Sequence, residues 1–253
     1  MINIALNTFK EIVRNKFLYL ILFFAFVFIV FSMALGKLTI GDDTKVIVDF
    51  GLAMIEIFGL VGVLFVGSQL LFKEIEGKTI FLILSKPIKR YEFILGKFFG
   101  FSATIFLIIL LQSILFLIVL LFKDIEISNL IAFSLLFTFF KLEILLGLVF
   151  FFSTFMSNML TILVTLMIYF LSHSFSIILD IANRAGNAIA FYFAQGLQLL
   201  FPPFEALNIK DVIGSFKDFD ASYFLFNSFY SVIYLSIILF FTVLIFNRKK
   251  FEN

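Results

Sequence analysis

Long apolar runs alternate with short polar connections along most of the 253 residues. A helix needs roughly 20 consecutive apolar residues to cross about 30 Å of hydrocarbon. Six runs meet that length, so we expect six transmembrane helices and an all-α integral membrane protein. The predicted spans are residues 17–35, 50–72, 98–122, 130–155, 159–181 and 223–246.

The chain begins with a different pattern, which is amphipathic rather than uniformly apolar. From Ile2 to Val13 apolar residues recur at helical spacing, and polar residues take the opposite face. This periodicity favours a helix that lies in the membrane interface ahead of the first span. The alternative is a frayed tail that carries a chance pattern.

Residues 182–222 form the one long connection between predicted spans. An apolar, helix-compatible piece at 189–201 is followed by Pro202 and Pro203, which end a helix. We expect this segment to pack on the outer membrane surface. A substrate gate and a site for an external partner are the alternatives, and its residues do not select among the three.

Composition agrees with a membrane protein and excludes several other classes. With 62% hydrophobic and 14% charged residues, too little polar surface remains to coat a soluble globule. Six spans occupy most of the chain, so we expect one transmembrane domain over residues 1–253 and no nucleotide-binding domain. The first apolar run is long enough to span, which favours a retained helix over a signal peptide. The chain has no cysteine, which excludes disulfides and thiolate metal sites.

Basic residues are concentrated on one set of connections. Lysines and arginines cluster before the first span, between spans two and three, and after span six, while the other connections mix basic with acidic residues. Because cytoplasmic loops collect lysine and arginine, both termini are predicted to be cytoplasmic. The expected location is the cell (plasma) membrane, with the 182–222 segment on the outer side.

The charged stretch between spans two and three, KEIEGKTIFLILSKPIKRYEFILGK at residues 73–97, is unusual in so apolar a chain. Gly77 permits a sharp turn after span two, and Thr79 can cap a short helix over residues 80–84. Ser85, Lys86 and Pro87 would end that helix. The pattern predicts a short cytoplasmic helix, with charges at both ends, carried between two spans.

At these residues the chain resembles the permease subunits of type-2, exporter-type ATP-binding-cassette transporters, among them permeases associated with maturation of copper enzymes. The resemblance covers nearly the whole chain in topology and about 25 residues in motif. It implies that 74–87 is the coupling helix that docks on a cytoplasmic ATPase, and that 153–158 is a second contact with the ATPase. The residues to which it assigns ATPase coupling are Glu74, Glu76, Gly77, Thr79, Ser85, Lys86 and Pro87.

The resemblance also implies the partners. Six spans would be half of a transporter, so a homodimer or heterodimer of permeases with two separate ATPase subunits is expected. ATP would bind to the partner ATPase, which leaves this chain with no catalytic residue, cofactor or metal ligand, and with lipid but no nucleic acid as a further partner. The absence of cysteine, with one histidine and six methionines, argues against the chain itself holding soft metal ions.

The sequence is also compatible with other functions. The charged stretch is also compatible with a loop whose basic residues only fix topology. A membrane-embedded enzyme would need nucleophile and base groups at one depth, and a passive channel would need no projecting charged loop. The transported substrate is not indicated, and lipids, hydrophobic drugs, polysaccharide and peptides all fit.

Three ionisable residues are predicted to lie at membrane depth, where charge is costly unless it faces the protein interior or water. These are Glu56 in span two, and Lys141 and Glu143 in span four. Lys141 and Glu143 point to different helix faces, so a pair between Lys141 and Glu56 is the better match. We favour a structural pair, or shorter spans whose ends place these groups near the lipid headgroups, over a substrate route or gate latch. His173, the one histidine, is expected to be a satisfied interior residue rather than a metal ligand.

Overall fold

The fold is that of a computed structural model, which describes residues 1–38, 43–77, 89–186, 188–213 and 220–249. Every regular element in these residues is helical. A π-helical turn, Val63–Gly67, joins α3 to α4, and a 3₁₀ turn, Lys210–Val212, precedes the last helix. The helices are α1 (Ile2–Val13), α2 (Lys16–Leu38), α3 (Asp43–Gly62), α4 (Ser68–Glu76), α5 (Arg90–Phe122), α6 (Asn129–Ser153), α7 (Asn158–His173), α8 (Phe175–Arg184), α9 (Ala188–Leu200) and α10 (Ala221–Arg248).

Five of the described helical stretches are long and apolar enough to cross a membrane, namely α2, the continuous α3–α4 stretch, α5, α6 and α10. The bent pair of α7 and α8 makes a sixth when the two are taken as one span. The structure thus agrees with an all-helical protein of five or six spans. The end of the bundle that carries Val13, Glu76, Arg90, Ser153 and Arg248 is called the termini side below, and the opposite end is called the far side.

The predicted span at 159–181 is not one straight helix. It is interrupted at Ser174, where α7 and α8 meet at 51°. The Ser174 hydroxyl donates to the Phe170 carbonyl at 2.9 Å, and such hydrogen bonding to the preceding turn bends helices. A 16-residue helix rises about 24 Å, so α7 alone falls short of a full crossing.

Helix α6 is the centre of the bundle. It contacts α3, α5, α7 and α10, and its side chains are buried around most of its circumference. A helix that is apolar on all sides is typical of such a central position. By contrast, α2 and α10 each bury only 28% of their most apolar window, so their exposed phenylalanines suit contact with lipid chains.

Helix α1 forms over the predicted residues and packs along the start of α5. Thr8 and Ile12 are its buried residues. Gly96 and Gly100 of α5 permit the close approach, because a Cβ atom at Gly100 would lie 2.4 Å from the Ala5 carbonyl oxygen. This small-residue spacing brings two helix backbones together. The membrane-interface location of α1 stays a prediction.

The 182–222 segment is only partly separate from the spans. Its predicted helix at 189–201 is present as α9. After Pro202 and Pro203 the chain turns inward, and Phe204, Leu207 and Ile209 are buried in the main hydrophobic core. This part of the segment packs among the spans, which differs from the expectation that the segment lies on their outer surface. The apolar side chains lose more water contact there than they would on the surface.

Candidate functional site

The predicted coupling segment is described only at its start. Glu74 is half-buried near the end of α4, and Glu76 and Gly77 are exposed at the tip of that helix. The predicted short helix, with its residues Thr79, Ser85, Lys86 and Pro87, lies outside the described residues. The structure therefore places three of the seven predicted coupling residues, and all three are at the termini side.

An ion pair connects the start of this segment to the next span. The Lys97 Nζ of α5 lies 2.7 Å from Glu74 Oε1 and donates a longer hydrogen bond to the Leu70 carbonyl at 3.5 Å. Lys97 is almost fully buried, whereas the Glu74 side chain is 21% exposed. The ends of α4 and α5 are thus held together directly beside the exposed tip.

The beginning of α5 is also attached to the end of α10. The Arg90 guanidinium donates to the main-chain carbonyls of Phe246, Asn247 and Lys249 at 3.4, 3.0 and 2.9 Å. Phe246 and Asn247 lie in the last turn of α10 and Lys249 directly follows it, in a region where most carbonyls have no partner within the helix. Arginine presents several donors in a fixed plane, so one side chain can serve three acceptors. At the same end of α5, the Glu92 carboxylate accepts the Lys89 main-chain N–H at 3.3 Å.

The end of α10 continues this chain of contacts to the turn between α6 and α7. The Lys249 amine donates to the Thr154 carbonyl at 2.6 Å. Partial burial lowers the pKa of the Lys249 amine, because the charged form loses hydration. Thr154 belongs to the 153–158 turn, which the sequence suggested as a second contact with a partner. The two predicted contact regions are thereby connected through α5 and the carboxyl-terminal end.

A second polar site lies inside the bundle and is centred on Glu56 of α3. Lys141 of α6, which the sequence paired with Glu56 across two spans, donates to both carboxylate oxygens at 3.0 and 3.2 Å. Both side chains are at most 3% exposed. The Tyr169 hydroxyl of α7 donates to Glu56 at 2.8 Å, and Lys210 forms a further ion pair with the same carboxylate.

His173 completes the cluster from the end of α7. Its Nδ1 lies 2.9 Å from the Tyr169 carbonyl, which can only accept, so Nδ1 carries the hydrogen. Its Nε2 lies 3.5 Å from the Lys141 amine and can accept from that donor. The histidine is therefore held by two partners inside the protein. No group of three or more metal-ligating side chains occurs within the residues that the structure describes.

Sequence reasoning found the Glu56 and Lys141 contact but missed Tyr169 and Lys210. Lys210 lies 154 positions from Glu56 and reaches it only because the chain after Pro203 folds back among the spans. No local pattern around either residue marks it as a partner of Glu56. Glu143, by contrast, lies beside Ser102 of α5 and away from the cluster, as expected from its position on α6.

Comparison with models of known protein families gives no match, and comparison with curated proteins gives none either.

Proposed function

We propose that the chain is the membrane-spanning permease subunit of an ATP-binding-cassette transporter. In this proposal a separate cytoplasmic ATPase binds the 74–87 segment and drives export across the plasma membrane. The observation that carries it is the exposed, charged tip at Glu76 and Gly77, which projects from a long span and bears the motif residues. Basic residues in a cytoplasmic loop are explained by membrane topology alone. Two glutamates, a glycine and a proline at the spacing of the motif are not.

The contacts around the tip suit the transmission of force. A displacement of Glu74 is passed to α5 through Lys97, because the two charges are 2.7 Å apart and Lys97 is buried. A displacement of α5 is passed to the end of α10 through Arg90. Coupling between distant sites needs contiguous contacts of this kind. Movement of the ATPase would thereby reach several spans from one docking point.

The proposal includes a second docking point and a dimer. The 153–158 turn, held to α10 through Lys249 and Thr154, would touch the same ATPase. Two permease chains, identical or different, would assemble with two ATPase chains, with both termini on the cytoplasmic side. ATP binding and hydrolysis would belong to the partner, and this chain would supply the route across the membrane.

The test is affinity purification of the tagged chain from its native membranes in mild detergent, with mass spectrometry of stoichiometric partners. We expect an ATPase with a phosphate-binding loop to co-purify. Glu76→Ala and Gly77→Val should reduce its recovery about tenfold, the effect of roughly 1.4 kcal/mol of lost binding energy. Glu126→Ala is the matched control, since Glu126 is also an exposed glutamate but lies on the far side.

The same experiment separates the proposal from its rivals. Equal recovery of the ATPase with Glu76→Ala and Glu126→Ala would overturn the docking role of the tip. Recovery of the chain without any ATPase, in several detergents and with an ATP analogue present, would favour a membrane-embedded enzyme or a passive channel. Neither of those classes needs a soluble ATP-hydrolysing partner.

A further inference from the structure

An apolar cavity of about 340 Å³ lies between α6, the end of α9 and α10. Leu148 and Phe151 line it from α6, Leu199 and Leu200 from α9, and Ile233 and other residues from α10. The two α9 leucines are more than 70% exposed, so the cavity is open on the side where a bilayer would supply acyl chains. An alkyl chain matches the polarity of such a lining.

A second cavity of about 270 Å³ adjoins the first and shares Leu199 and Tyr230 with it. It extends toward the far side, and more polar side chains are among its mostly apolar lining residues. Gln198, Asn227 and Ser172 contribute neutral polar groups, and Glu205 is the one ionisable acid among its lining residues. Taken together, the two cavities fall within the range of roughly 300–1,000 Å³ that is usual for ligand sites.

The second cavity has one carboxylate among its lining residues, that of Glu205. The Glu205 carboxylate already accepts the Ser176 main-chain N–H at 3.0 Å through one oxygen, Oε2. Its position is therefore fixed at the polar end of the site.

We propose that these joined cavities bind an amphiphile with a protonated amine headgroup and a single alkyl chain. The alkyl chain lies between α9 and α10 against the leucines and isoleucines of the first cavity. The ammonium group lies at Glu205, where opposite charge and a hydrogen bond favour it over a neutral or anionic headgroup. The proposed binding site does not depend on ATPase coupling. The statement that the bound amphiphile is the transported substrate rests on the proposed function.

The test uses the full chain in nanodiscs of phosphatidylglycerol and three probes of the same chain length. Each probe is a dodecyl chain with a terminal photoreactive diazirine and an amine, hydroxyl or carboxylate headgroup. Mass spectrometry maps the labelled peptides. We expect the amine to label the α9 and α10 peptides most strongly, and Glu205→Gln to reduce that labelling about tenfold while leaving the hydroxyl probe unchanged.

A pair of neighbouring substitutions tests the alkyl end. Ile233→Trp fills the first cavity and should abolish labelling by the amine and hydroxyl probes. Val232→Trp is the matched control, because Val232 is similarly exposed on the same helix but does not line the cavity. Equal labelling of Ile233→Trp and Val232→Trp would overturn the proposal. So would equal labelling by all three headgroups, or protection of the cavity by a second copy of the chain.

The outcomes for the two proposals are distinct. Loss of amine specificity, with the ATPase still co-purifying through Glu76, would remove only the amphiphile site. Specific amine labelling without any co-purifying ATPase would leave the amphiphile site in place and remove the transporter assignment.

Discussion

Two lysine–glutamate pairs of similar length occupy different surroundings in this protein. Lys141 and Glu56 are 3.0 Å apart, and both are at most 3% exposed within the bundle. Lys97 and Glu74 are 2.7 Å apart at the termini side, where Glu74 is 21% exposed. Glu56 also receives hydrogen bonds from Tyr169 and Lys210.

The difference between the pairs lies in what happens when they open. A carboxylate that loses its partner inside the bundle has no water to replace it, so the Glu56 pair is expected to remain closed. Glu74 can regain water and Lys97 keeps the Leu70 carbonyl as a partner, so opening the outer pair costs less than opening the inner one. The inner pair therefore suits a structural role, and the outer pair suits a contact that transmits small displacements.

Removing the central carboxylate should be the most damaging change. Glu56→Gln leaves the buried Lys141 and the nearby Lys210 without their anion, and breaking a buried pair costs about 3–5 kcal/mol. We expect a corresponding fall in unfolding free energy, measured by denaturation of the purified protein in mixed micelles.

The double variant Glu56→Gln with Lys141→Met provides the control for this prediction. It removes both charges of the deepest pair, so part of the lost stability should return. If the double variant is as unstable as the sum of the two single variants, the pair is not energetically coupled and the contrast between the two pairs fails.

The attachment of α1 beside the outer pair should be the next most sensitive feature. Gly100→Ala would place a Cβ 2.4 Å from the Ala5 carbonyl oxygen and force α1 away from α5. We expect a loss of about 1–3 kcal/mol, as for overpacked sites, and faster hydrogen exchange in α1. Gly196→Ala is the matched control, because no described atom lies within 4 Å of the added Cβ. Similar behaviour of the two variants would show that α1 is not held by this contact.

Lys210→Met should release the inward-folded part of the 182–222 segment without unfolding the bundle. Lys210 is 13% exposed and Glu56 keeps Lys141 and Tyr169, so we expect a loss of about 1 kcal/mol. Hydrogen exchange should rise in residues 204–213 and stay constant in α6. Lys37→Met, an exposed lysine on the same side, should change neither. Unchanged exchange at 204–213 would mean that apolar burial alone holds the segment.

Lys97→Met should have the smallest effect on stability. Because Glu74 is partly exposed, we expect about 0.5 kcal/mol or less in the free energy of unfolding. Faster hydrogen exchange near residues 73–77 should accompany that small change. A loss as large as that of Glu56→Gln would place both pairs in the same structural class.

The positions of most spans followed from hydrophobic run length. The predicted spans at 17–35, 130–155 and 223–246 differ from α2, α6 and α10 by at most three residues at either end. The second span is longer than predicted and runs from Asp43 into α4, because charged residues at the ends of a helix do not interrupt its backbone hydrogen bonds. The break at Ser174 was not predicted, since a serine bends a helix only in the rotamer that bonds the preceding turn.

The amino-acid sequence by itself determined the all-helical class, most of the helical stretches that are long and apolar enough to span a membrane, the amphipathic first helix and one buried pair. Each depends on local period, run length or the high cost of charge in hydrocarbon, and these can be read along the chain. Only the tertiary structure decided that Tyr169 and Lys210 join Glu56, and that Arg90 and Lys249 connect α5, α10 and the 153–158 turn. Those contacts join residues up to 159 positions apart, and their formation depends on how the helices pack rather than on any neighbouring residue.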